Sequence, residues 1–213
     1  MLPAISIEYF MSYYENNHQH VPRHGVWSFL LANSAMDDKV FCEHHFDSIN
    51  KHAGHDWHLV VFSEGRYDHD SKAFVWTPSV AGHNVAEGIR NELVRAGIRV
   101  PPLCILFTNP LRQFEKNRYV IVPLDSDRIK DVQLFINGFK ATAHAIRNAF
   151  RESGISDDFS DPDRYDEFLT NFERGLRKAG LQATIFNVAI WIQRILSAAR
   201  GDRGLIRDAK GLG

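Results

Sequence analysis

The stretch Gly97-Ile98-Arg99-Val100-Pro101-Pro102-Leu103-Cys104-Ile105-Leu106-Phe107 decides the fold, because a helix stop, a proline pair and an apolar strand follow one another there without a spare residue. Glycine closes a helix at little steric cost, prolines cannot continue one, and the five apolar residues that follow read as a buried strand. Upstream, Asn84 with Glu87 three residues later has the form of a capping box, and Val85, Ile89 and Leu93 then recur on one helical face. Downstream, Asn109-Pro110 opens a turn, and Tyr119-Val120-Ile121-Val122 lies close enough in sequence to pair antiparallel with the strand over 103–107.

Further toward the N-terminus, Leu59-Val60-Val61-Phe62 reads as a strand ended by Ser63-Glu64-Gly65, and Val26-Trp27-Ser28-Phe29-Leu30-Leu31 as a strand buried on both faces. Between them Asn33 to Met36 turns the chain, Asp37 and Asp38 favour a helix N-terminus, and Cys42, Phe46, Ile49 and Ala53 mark a helix that stops at Gly54. In the connection after residue 62, Phe74-Val75-Trp76 is a candidate extra strand and Asp68-His69-Asp70-Ser71 has loop chemistry. Ile5, Tyr9, Phe10 and Tyr13 predict a short N-terminal helix with Ser6 as its cap, before a polar, His-rich joint over 16–25. Beyond the last core strand, Ile129, Val132, Ile136, Phe139, Ala143, Ile146 and Phe150 predict one long helix up to Gly154. Asp161-Pro162 then starts another, lined by Tyr165, Phe168, Leu169, Phe172 and Leu176. The segment 182–199 is apolar on more than one side, which predicts the second arm of a helical hairpin.

A chain of 213 residues with 44% apolar content can bury a sizeable core, and Lys+Arg 25 against Asp+Glu 26 leaves no global field to recruit nucleic acid or an anionic membrane. The two cysteines give no disulfide framework, the N-terminus lacks a basic segment before a cleavage site, and no apolar run reaches membrane-spanning length, so a soluble cytoplasmic protein is expected. No phosphate loop or dinucleotide fingerprint is present. Eleven histidines invite a metal reading. His44 and His45 are adjacent and diverge on a helix, and His52, His55 and His58 straddle the helix end at Gly54, so no metal ligand set and no cofactor is assigned. Arg90, Arg95, Arg99 and the cationic C-terminus read as solvated charge.

The stretch from Gly97 to Phe107, together with the order strand, helix, strand, helix, strand, strand, helix, resembles the thioredoxin-like family over residues 25–154. The resemblance implies a mixed α/β sheet flanked by helices, with Pro102 after a cis bond and a groove lined by Ser34, Met36, Asp37, Val100, Pro101 and Pro102 that takes an extended peptide by strand addition. Its redox members carry Cys-x-x-Cys at the start of the helix after the first core strand, where the helix dipole stabilises thiolate. This chain has Ser34-Ala35-Met36-Asp37 there, so the thiol-disulfide reaction is not carried over and no catalytic residue is assigned. Cys42 and Cys104 read as small core residues with raised thiol pKa values. The expected organisation is an N-terminal helical extension over 1–24, the thioredoxin-like domain over 25–154, a helical hairpin over 155–200 and a flexible tail over 201–213. The hairpin, with Phe186, Ile190 and Trp191 outward, is expected to form an interface with a protein partner or a second copy. The resulting expectation is a non-catalytic protein-interaction module. The alternative is an enzyme using the His- and Asp-rich segments, as a metal- or thiol-dependent hydrolase or a redox protein.

Overall fold

The computed structural model describes residues 4–6, 26–53, 57–108, 117–124, 144–149, 151–152, 162–178 and 184–188. They form, in order, β1 (Ala4–Ser6), β2 (Val26–Leu31), α1 (Ala35–Ala53), β3 (Trp57–Val61), β4 (Glu64–Asp68), β5 (Ala73–Thr77), α2 (Val80–Arg95), β6 (Cys104–Thr108), β7 (Asn117–Pro123), α3 (Pro162–Lys178) and β8 (Thr184–Val188), with a further helical segment at 144–149. A six-stranded sheet runs β1-β3-β2-β6-β7-β8. Its β1, β3 and β2 are mutually parallel, and β6, β7 and β8 each pair antiparallel with the preceding neighbour. The architecture is thus mixed α/β.

Both faces of the sheet are covered, which is why its strands read as apolar runs rather than as alternating ones. Leu30, Leu59, Val61, Ile105, Phe107, Val120 and Val122 share one core with Phe41, Cys42 and Phe46 of α1, with Ala145, Ile146 and Ala149, and with Phe168, Leu169, Phe172 and Leu176 of α3. The Phe107 and Phe172 rings meet edge-to-face at 4.8 Å. The alternate residues Phe29, Leu31, Val60, Cys104, Leu106 and Ile121 are buried on the opposite face, where α2 lies along β2. At one end of β2 the Trp57 indole N–H donates to Ser28 Oγ at 2.7 Å, and the Ser28 hydroxyl donates to the His58 carbonyl at 3.2 Å, so the buried polar atoms are used.

The stop at Gly97 is a complete Schellman closure. The Gly97 N–H donates to the Val94 carbonyl and the Ile98 N–H to the Leu93 carbonyl, both at 2.9 Å, with Gly97 at φ 80°. The capping box expected at Asn84 and Glu87 is displaced: Ser79 caps α2 by accepting the Gly82 N–H at 3.1 Å, and Asn84 lies one turn inside the helix. Ser79 does the same chemistry from the residue that follows Pro78.

Two larger expectations are corrected. Ala4–Ser6 is an edge strand beside β3, not the start of a helix, because Ile5 is placed opposite Val60 in a parallel ladder. Thr184–Val188 is likewise a strand, paired antiparallel to β7 with Phe186 opposite Tyr119, so a helical second arm does not exist there. Phe186-Asn187-Val188 satisfies a two-residue period as readily as a helical one, and the free edge of β7 decides between them. Residues 7–25, 125–143 and the tail over 201–213 fall outside the described residues.

The connection between β3 and α2 carries the antiparallel ribbon β4–β5, of which only the second strand was anticipated. Gly65 is why the ribbon can seat: a Cβ there would fall 2.7 Å from the Trp76 ring. Trp76 in turn packs edge-on to Phe46 of α1 at 4.6 Å, while Tyr67, Phe74 and Val75 stay exposed.

Candidate functional site

The segment 32–38, the junction 62–63, the first turn of α2 and the loop 100–103 converge at the carboxyl ends of the parallel strands β2 and β3. Ser34 caps α1: its hydroxyl accepts the Asp37 N–H at 3.1 Å and its carbonyl the Asp38 N–H at 3.2 Å. Asp37 is exposed in the first turn, where its negative charge complements the positive end of the helix dipole, and Met36 beside it is 54% exposed.

Asp38 turns the other way and is 2% exposed. Its Oδ1 accepts the Phe62 N–H at 3.3 Å, tying the first turn of α1 to the end of β3. Burial pushes its carboxyl up to about 6, against the opposing pull of Ser63, the Phe62 and Ser63 N–H groups and His83 of α2. Asp38 Oδ2 and the fully buried Ser63 Oγ make no hydrogen bond of ordinary geometry, although the hydroxyl is close enough to favour the ionised carboxylate. A carboxyl with that pKa suits proton transfer at neutral pH, but Asp38 is sealed from solvent and touches no open surface where a substrate would sit.

The loop 100–103 is fixed by Arg90 of α2. Its Nη1 donates to the Pro101 carbonyl at 2.9 Å, to Pro102 at 3.4 Å and to Leu31 at the end of β2 at 3.5 Å. Arg90 is therefore a staple rather than solvated charge. Val100 and Pro101 are half-buried and Pro102 is exposed, beside the end of β2. The described residues contain no cis peptide bond, so the expected cis link before Pro102 is corrected to trans. The loop is held here by the guanidinium, and the strand-adding backbone geometry tied to a cis-proline is not carried forward.

Of the sequence-predicted site residues, Ser34, Met36 and Asp37 stand in the turn and first helical turn that follow β2, and Val100, Pro101 and Pro102 in the loop that Arg90 ties to the end of β2. Phe186 lies in β8, and Ile190 and Trp191 are outside the described residues. The apolar helix that motivated an interface there is replaced, over 184–188, by a strand.

The two thiols are free and buried. They also lie on opposite faces of the sheet, Cys42 with the α1 core and Cys104 alternating with Leu103 and Ile105 of that core, so they cannot pair. Burial pushes Cys104 up to about 12 despite Arg90, and raises Cys42 well above the ordinary thiol range with help from Asp38 and Glu43. His45 is buried against Phe41 and His44 is exposed, although the two rings still meet edge-on at 6.1 Å. Among the described residues no group of three or more His, Cys, Asp or Glu is placed to hold a metal ion, and no helix is long and apolar enough to cross a membrane.

The residues that sequence reasoning did not assign to this region are Asp38, Ser63, His83 and Arg90. Asp38 carried a signal, since it sits one turn before Cys42 on the apolar stripe, where a carboxylate must be buried with the rest of that face. Comparison with protein-family models, curated proteins and solved structures gives no match.

Proposed function

We propose that the chain is a non-redox, thioredoxin-like module that binds a protein partner at the mouth formed by Ser34, Met36, Asp37, Val100, Pro101 and Pro102. The strand order supports the fold reading: two parallel strands, β3 and β2, are joined through α1, and an antiparallel pair, β6 and β7, follows α2 in the same sheet. β1 and β8 extend it at the two edges. The observation that carries the function is a loop held by Arg90 against the end of β2, with exposed Met36 in the first turn of the helix that leaves the same strand, at the carboxyl ends of parallel strands, where open α/β sheets bind their ligands. Exposed apolar side chains on a pre-organised loop bind at low ordering cost.

The thiol branch of the enzyme reading is opposed by the burial of both sulfurs, because thiolate is the reacting form. The test is affinity capture with wild-type protein beside a Met36→Asp, Val100→Asp double variant, with folding checked by thermal unfolding. Partners retained by the wild type and lost by the variant are expected. Equal recovery by two equally folded proteins would exclude this mouth.

A further inference from the structure

We propose that the junction Phe62–Ser63 is a proton-linked latch, closed on α1 by Asp38 and released, together with the β4–β5 ribbon it leads into, when Asp38 is solvated as a carboxylate. The inference does not depend on what the mouth binds. Its basis is geometric. Asp38 is the side chain that joins the first turn of α1 to the chain leaving β3, through the Phe62 N–H. Its second oxygen and Ser63 Oγ are sealed in the same place without a well-formed hydrogen bond, which makes the closed junction a poor host for charge. The segment it leads into is a two-stranded ribbon outside the main sheet, seated on α1 through Trp76 and Phe74, with Glu64, Gly65, Arg66 and Tyr67 all exposed. The groups coupled to Asp38 are Ser63 of the junction, His83 of α2 and Cys42 one turn along α1.

The closed junction holds the Asp38 proton up to about pH 6, whereas the solvated group releases it near 3.8. Any opening that wets Asp38 is therefore favoured as pH rises between those values, by about a hundredfold in the opening constant over the whole range. About thirtyfold of that falls between about pH 4.5 and about pH 7.5. His83 and the Phe62 N–H oppose the change and are already contained in it.

Amide hydrogen exchange of the full chain tests this, with each rate divided by the intrinsic rate at the same pH. Amides over 62–68 are expected to open more readily than those of Leu106, Phe107 and Val120 in the sheet, and to lose about thirtyfold protection from about pH 4.5 to about pH 7.5. Asp38→Asn, which keeps an acceptor for Phe62, should remove that pH dependence. Ser63→Ala, which deletes a group favouring the carboxylate, should move its midpoint to higher pH and serves alone if the first variant does not fold. Exchange of 62–68 only together with the sheet amides would overturn the proposal. So would a pH dependence that survives Asp38→Asn, or a midpoint unmoved by Ser63→Ala.

Discussion

Replacing Asp38 by Asn should stabilise the protein at neutral pH and do progressively less as pH falls. The folded carboxyl titrates at about 6 and the unfolded one at 3.8, so between those values the native state holds a proton that the unfolded state lacks. Stability then falls as pH rises, by about 3 kcal/mol in total, with about 2 kcal/mol of it between about pH 4.5 and about pH 7.5. The asparagine has no charge to bury and can still accept from Phe62 through Oδ1. His45 works with the opposite sign. Burial, with a smaller push from His44, lowers its pKa from 6.5 to about 4, so its contribution is present above the unfolded value and lost as pH falls toward the folded one. The wild-type profile mixes the two slopes, and the difference between variant and wild type cancels His45. Urea unfolding followed by tryptophan fluorescence at several pH values gives that difference. A variant whose advantage over wild type grows by about 2 kcal/mol across the range is expected. A difference that does not change with pH, or that changes in the other direction, would refute the buried-carboxylate reasoning.

Gly65→Val should place methyl groups against the Trp76 ring and cost about 1–3 kcal/mol, read as a lower urea midpoint, with the β4–β5 amides losing protection first. Gly97→Ala should cost about 1–2 kcal/mol by thermal unfolding, because an L side chain at φ 80° is strained. Arg90→Met should leave the Pro101 and Leu31 carbonyls without their donor and loosen the loop, seen as faster proteolysis near residues 99–103. Native protein should show two unreactive thiols toward a small disulfide reagent and two reactive ones after denaturation, and it should not reduce insulin.

What the sequence made legible follows from how locally each element is specified. Gly97 and the proline pair needed no partner to end α2, and the antiparallel pairing of β6 with β7 needed only a short connection. Pro162 set the start of α3 because a proline at the first helical position is unstrained. Ile5 and Phe186 were misread because short apolar segments satisfy both periods, and what decides them is a free sheet edge built elsewhere in the chain. Strand β4 was hidden for a related reason: Glu64-Gly65-Arg66-Tyr67-Asp68 carries no apolar alternation, and it is a strand because Trp76 lies over Gly65. At the site, the residues proposed to line the mouth rest on the resemblance. The Arg90 staple depends on a tertiary meeting of α2 with the end of β2, which no local pattern encodes.

The claim that the mouth between α1 and the loop 100–103 is where this protein meets a partner is tested most directly by site-specific photo-crosslinking in the intact chain. A photoreactive residue at Met36 or Pro102 should give discrete adducts with another protein, while the same residue at exposed Lys178 on α3 should give none of them. Adducts of equal yield and identity from all three positions, or none from Met36 and Pro102 in a folded protein, would contradict the account.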